Sequence, residues 1–173
     1  TFTPIFVMAV AQAIKEMPMI NIQVDGQAII KKKDINIGMA AALPSGNLIV
    51  PVIRNADRLN LTGLAAAVND LANRARAGKL SPDEIGGGTY TITNVGSFGN
   101  VLGTPIINQP EVGIVGVNRI VPRLALQGGG VVERQVMNLS SSFDHRVVDG
   151  MDAARFIQAV RAGLEQPAAL FID

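Results

Sequence analysis

Phe143-Asp144-His145-Arg146-Val147-Val148-Asp149-Gly150 stands where two periodicities meet. Before it, Val131 to Phe143 reads as a strand. After it, Met151 to Glu165 carries Ala153, Phe156, Ile157, Val160 and Leu164 at helical spacing on one face. A strand that turns directly into an amphipathic helix belongs to an α/β chain. The turn between them is the kind of place where functional side chains are held. Asp149 lies at the start of the helix and is a residue type that caps helix N-termini.

His145 is the only histidine among 173 residues, and there is no cysteine. A multi-histidine metal site within one chain is therefore impossible. Disulfides, thiolate metal sites and cysteine nucleophiles are also excluded. No metal is expected. Imidazole titrates near neutral pH, which suits His145 to act as a general base. The residues alone leave a plainer alternative open: a lone histidine in a polar turn, Asp149 as a helix cap, and Asp144 and Arg146 as ordinary surface charges.

Working outward, Thr3-Pro4 reads as a helix start, with Thr3 as the cap and Pro4 at the first helical position. That helix runs to about Met17 and is apolar almost all round, so it is expected to be buried. Asn21 to Val24 and Ala28 to Lys32 read as a hairpin around Asp25-Gly26, a type I′ pair. Asp34 to Ala42 reads as a strand, Pro44-Ser45-Gly46 as a turn, and Leu48 to Ile53 as a strand weakened by Pro51. Leu64, Val68, Leu71 and Ala75 set one face of a helix over Leu61 to Ala77, ended by Gly78. Ser81-Pro82-Asp83-Glu84 resembles a capping box. Strands follow at Thr89 to Val95, Glu111 to Val117 and Arg119 to Leu126, with a glycine-rich loop through Gly103 and a turn at Gly128-Gly129-Gly130. These elements make a mixed α/β fold with a largely antiparallel sheet flanked by helices.

Hydrophobic residues make up 48% of the chain, with no tryptophan, so the core is to be built from Ala, Val, Ile and Leu. A net charge of +1 gives no electrostatic footprint for nucleic acid or an acidic membrane. There is no apolar run long enough to span a bilayer and no signal peptide. Gly96-Ser97-Phe98-Gly99 is one residue short of a nucleophile elbow. Gly86-Gly87-Gly88 and Gly128-Gly129-Gly130 lack the lysine and spacing of a phosphate loop and read as turns. Lys31-Lys32-Lys33 reads as a solvated strand edge, with phosphate contact as the alternative.

Asp144-His145-Arg146-Val147-Val148-Asp149-Gly150 resembles the active-site signature of the acyltransferase (E2) component of the 2-oxo acid dehydrogenase complexes, and chloramphenicol acetyltransferase shares its His-x-x-x-Asp core. Further stretches resemble that family in order along the chain: Leu48 to Asp57, Gly78 to Pro82, Gly87 to Gly96 and Thr104 to Glu111. The resemblance covers essentially all of it. It implies a chloramphenicol acetyltransferase-like fold. It also implies that residues 1–173 are one acyltransferase catalytic domain, without its N-terminal part and without upstream lipoyl and subunit-binding domains.

The implied reaction transfers an acyl group from a dihydrolipoyl thioester to coenzyme A, with the lipoyl group carried on a separate domain. His145 is implied as general base, its second ring nitrogen bonded to its own backbone carbonyl. Thr93, supplied by a neighbouring subunit, is implied as oxyanion donor; the residues alone do not choose between it and Thr91. Asp149 is implied to orient, bonding an arginine that holds the histidine loop. The implied assembly is a homotrimer, further associated into a 24-mer or 60-mer core. Its partners are the lipoyl domain and the E1 and E3 components.

An acetyl or branched-chain acyl group is favoured over succinyl. A bacterial cytoplasm is favoured over the mitochondrial matrix. The apolar tail Leu170-Phe171-Ile172 is expected to insert into a neighbouring trimer rather than pack on its own domain. Two alternatives are weaker. Transfer to a small hydroxyl compound fits poorly with the stretches at 48–57 and 87–96, and a non-catalytic scaffold fits poorly with the retention of His145 and Thr93.

Overall fold

The computed structural model of the chain describes residues 1–43 and 45–171. In chain order its elements are α1 (Thr3–Glu16), β1 (Ile22–Asp25), β2 (Ala28–Lys31), β3 (Ile37–Ala42), β4 (Leu48–Ile49), β5 (Val52–Ile53), α2 (Leu61–Arg76), β6 (Tyr90–Asn94), β7 (Gly113–Val117), β8 (Val121–Gln127), β9 (Gly130–Val136), β10 (Leu139–Phe143) and α3 (Gly150–Glu165). The central sheet has the order β10-β7-β6-β3-β4, with β5 also paired to β3. Its three middle strands, β3, β6 and β7, run parallel, and the antiparallel pairings lie at its margins and in the two hairpins. This is the expected mixed sheet, with its parallel part at the centre.

The register sorts the side chains into two sets. One row aligns Gly38, Thr91, Ile114 and Ser142, and another aligns Ala40, Thr93, Gly116 and Ser140. Their strand neighbours, among them Ile37, Met39, Tyr90, Ile92, Val115 and Phe143, point the opposite way and join the core with α1, α2 and α3. Phe156 of α3 anchors that core, its ring centroid 5.2 Å from Tyr90 and 6.0 Å from Phe143. Gly113 makes the stack possible: a Cβ there would lie 2.5 Å from Tyr90 Cε2.

Several boundaries differ from the sequence expectation for local reasons. Thr3 is the first helical residue of α1 rather than its cap; Phe2 is the cap, and its carbonyl accepts the Ile5 and Phe6 amides. The β1–β2 turn is Gly26-Gln27, with positive φ at Gly26 alone, which suits a type II′ turn and not I′. β3 begins only at Ile37, because the Asn36 amide donates to the Thr89 hydroxyl at 3.0 Å, while its own Nδ2 donates to the Gly87 carbonyl and its Oδ1 accepts the Asn55 amide. Pro51 splits Leu48–Ile53 into β4 and β5. The stretch read as one strand from Val131 to Phe143 breaks at Met137-Asn138, where Asn138 Nδ2 donates to the Val101 carbonyl.

The helix expected over Leu61 to Ala77 forms as α2. Asn60 Oδ1 caps α2 through the Gly63 amide at 2.9 Å, and the Ser81–Glu84 capping box is formed. Contrary to the expectation for the apolar tail, Leu170 packs on its own α3, so close to Gly163 that a Cβ there would meet it at 2.9 Å. Phe171 is exposed, and Ile172 lies outside the described residues. No described helix is long and apolar enough to cross a membrane.

Candidate active site

The turn carrying His145 is built from the end of β10 to the start of α3. The Asp144 amide donates to the Val112 carbonyl at 2.8 Å, tying the turn to the start of β7. The Asp144 carbonyl accepts the Val147 and Val148 amides, which closes the turn over buried Val148. The Asp144 carboxylate takes Arg146 Nε at 2.9 Å on one oxygen and Nη2 at 2.6 Å on the other. That pairing holds the Asp144 carboxyl below its ordinary range. His145 sits at the exposed tip between them.

Two details bear on what the resemblance implies. Asp149 caps α3, with Oδ1 accepting the Asp152 amide at 2.8 Å, and among the described residues no arginine bonds it. Among the described residues the ion pair of this turn belongs to Asp144 and Arg146 instead. Among the described residues no hydrogen bond of the His145 ring is seen, and in this single chain the ring stands at an exposed turn.

Thr93 is half-buried on β6 and lines a cavity of about 280 Å³ with Met39, Ala40, Val68, Ala72 and Phe98. The structure separates it from Thr91. Thr91 is buried, and its hydroxyl donates to Glu111 Oε2 at 2.6 Å. Among the described residues the Thr93 hydroxyl makes no hydrogen bond. One chain does not bring Thr93 and His145 together. Thr93 pairs with Gly116, whereas Phe143, two residues before His145, pairs with Gly113 on the other side of β7. The offset is about 10 Å along the strands and about 10 Å across two strand spacings, and His145 lies farther still.

Sequence reasoning did not single out Glu111. It is 3% exposed, and its other oxygen accepts Asn108 Nδ2 at 3.1 Å. Burial raises its pKa, and the bonds from Thr91 and Asn108 oppose that rise. It lines a polar cavity of about 550 Å³ together with Lys32, Lys33 and Gly86 to Gly88. A carboxylate set directly before the apolar run Val112 to Val117 was the available signal. No group of three or more His, Cys, Asp or Glu side chains that could hold a metal occurs among the described residues.

Residues 1–172 match the family model described as 2-oxoacid dehydrogenases acyltransferase (catalytic domain). The lipoamide acyltransferase component of the branched-chain alpha-keto acid dehydrogenase complex of Pseudomonas aeruginosa is 48% identical over 100% of this chain and 41% of that protein. The dihydrolipoyllysine-residue succinyltransferase component of the 2-oxoglutarate dehydrogenase complex of Bartonella vinsonii is 41% identical over 99% of this chain and 42% of its own length. The chain thus spans about two fifths of these relatives.

Among solved structures, the cubic core of the pyruvate dehydrogenase multienzyme complex superposes with a TM-score of 0.93, at 40% identity over 99% of this chain and 71% of that one. A dihydrolipoamide acetyltransferase of Azotobacter vinelandii, studied for the role of a serine, a histidine and an asparagine in its catalytic mechanism, gives 0.93 at 39% identity, over 99% and 71%. Chloramphenicol acetyltransferase gives 0.59 at 13% identity over 92% of this chain and 76% of that one, a likeness of fold alone.

Proposed function

The chain belongs to the 2-oxoacid dehydrogenase acyltransferase family, and from that premise we propose that it transfers an acyl group from a dihydrolipoyl thioester to coenzyme A at a site shared between two subunits. The observation that carries this reading is the separation of His145 from Thr93 within one chain, each reachable and neither committed to an internal hydrogen bond. The Azotobacter enzyme supports the assignment. Its serine, histidine and asparagine stand 52 and 4 positions apart, and Thr93, His145 and Asp149 keep both intervals.

The chemistry needs little assistance and careful placement. A free thiol has a pKa near 8.5, so ionising it at pH 7 costs about 2 kcal/mol. Neutral His145 accepts the proton of the coenzyme A thiol as the sulfur attacks the thioester carbonyl. The carbonyl oxygen becomes an oxyanion, and the neighbouring subunit's Thr93 hydroxyl donates to it, an interaction worth roughly a factor of 10²–10³. Collapse breaks the bond to the dihydrolipoyl sulfur, which takes the proton back from His145. No covalent enzyme intermediate forms. Asp149 acts through the cap that starts α3 and so fixes the turn.

An acetyl or branched-chain acyl group is favoured over succinyl, supported by the 48% identity to the branched-chain component against 41% to the succinyltransferase. The working unit is a homotrimer within a 24-mer or 60-mer core, served by lipoyl domains and by the E1 and E3 components, in a bacterial cytoplasm ahead of a mitochondrial matrix. Mixed trimers provide the test. His145→Ala and Thr93→Ala proteins, each inactive alone, are unfolded and reassembled together, then assayed with coenzyme A and acyl-dihydrolipoamide. About a quarter of the sites should regain both groups. A site contained in one chain would regain none.

A further inference from the structure

Thr93 lies on the sheet face that carries Gly38, Ala40, Thr91, Gly116, Ser140 and Ser142, and residues 101–110 cross that face. Burial does not hold this segment down, since Leu102 is 72% exposed and Ile106 is 90% exposed. Side-chain hydrogen bonds do. Ser140 Oγ accepts the Gly103 amide at 3.2 Å, and Ser142 Oγ donates to the Pro105 carbonyl at 2.6 Å. Pro105 is thereby placed beside Thr93: a Cβ at Gly116 would lie 3.7 Å from Thr93 Cγ2 and 3.8 Å from Pro105 Cγ.

The third anchor is Glu111. One carboxylate oxygen takes Asn108 from the crossing segment, and the other takes Thr91, two residues from Thr93 on the same face of β6. Gly88 closes the remaining side, where a Cβ would sit 2.6 Å from Glu111 Oε1. A buried carboxylate is an expensive way to fill space, because it must be hydrogen-bonded to be tolerated. Its distinctive capacity is to grip two donors at once.

We propose that Glu111 is a positioning residue: by holding Thr91 and Asn108 together it fixes the crossing segment against β6 and so aims the Thr93 hydroxyl at the reacting carbonyl. This rests on the reading of Thr93 as oxyanion donor. It makes Glu111 act through Thr93 and through nothing else in the chemistry.

A double-mutant cycle in the assembled protein tests it. Thr93→Ala, Glu111→Ala and the double variant are compared with wild type for kcat, for both KM values and for thermal midpoint. Thr93→Ala should lower kcat by roughly 10²–10³. Glu111→Ala should lower kcat by about ten- to a hundredfold with little change in either KM. The double variant should be no slower than Thr93→Ala alone. Glu111→Gln, which keeps one acceptor and adds a donor that Thr91 can accept, should recover most of the loss. If Glu111→Ala does not assemble, Thr91→Val replaces it in the same cycle, because it removes the gripped hydroxyl and keeps the shape. Multiplicative losses in the double variant overturn the proposal, as does a Glu111→Ala kcat within twofold of wild type. Full activity in Thr93→Ala would sink the oxyanion reading and this proposal together. A slow Thr93→Ala with multiplicative losses would sink only the role of Glu111.

Discussion

The two faces of the central sheet are made by the same strands, one residue apart, and they do different work. One face presents Ile37, Met39, Tyr90, Ile92, Val115 and Phe143 to the three helices. The other presents Gly38, Ala40, Thr91, Thr93, Gly116 and Ser140, and polar bonds hold a loop across it. The apolar face stabilises through buried area. The small, hydroxyl-bearing face leaves room and, under the proposed function, supplies a donor to the reacting group. Because side chains alternate strictly along a strand, a slip of one residue would exchange the two roles.

Mutations on the two faces should therefore fail in different ways. The largest effect is expected in the turn beyond β10, where His145→Ala should lower transfer by up to about 10⁴-fold and leave thermal unfolding unchanged. Near wild-type turnover would defeat the general-base assignment. On the apolar face, Phe156→Ala should cost about 3–5 kcal/mol by denaturant unfolding, while the protein that remains folded keeps its kcat. Gly113→Ala forces a Cβ against the Tyr90 ring and should cost about 1–3 kcal/mol. A stability matching wild type would mean that the ring shifts freely.

Asp149→Ala removes the α3 cap and should cost about 1 kcal/mol. The smallest effect is a pH dependence remote from both faces. Arg74 and the Ser81 amide pull Glu84 from 4.5 down to about 2. Its folded-state pKa is depressed, so its stabilising contribution is present above its ordinary pKa and is lost as pH falls toward 2. Glu84→Gln should make the acid-side loss of stability over that window shallower. An unchanged acid limb would show that the pair contributes nothing measurable.

The apolar face was largely legible in the sequence. Helical spacing at Leu64, Val68, Leu71 and Ala75 placed α2, and Phe156 and Val160 placed the buried stripe of α3. Pro51 marked Leu48 to Ile53 as a weakened strand, though not its division into β4 and β5. What local pattern cannot encode is which strands become neighbours, so the parallel centre of the sheet emerged only from the pairing of β3, β6 and β7. Strand ends at Asn36 and Asn138 were misplaced because distant loop atoms capture their side chains.

The polar face was harder to read. Thr91 and Thr93 have the same propensity and the same facing, and a carboxylate 20 positions away tells them apart. The resemblance implied Thr93; the bond to Glu111 occupies the Thr91 hydroxyl, whereas that of Thr93 makes none among the described residues.

The distance that β6, β7 and β10 place between Thr93 and His145 also bears on timing. Under the proposed sharing of sites, a newly made chain can complete its helices and sheet and still transfer nothing. Activity then arrives as a later phase whose rate depends on concentration, after the spectroscopic signs of folding are complete. Dilution would reverse it without unfolding a strand. Transfer thus becomes a measure of how many copies have met.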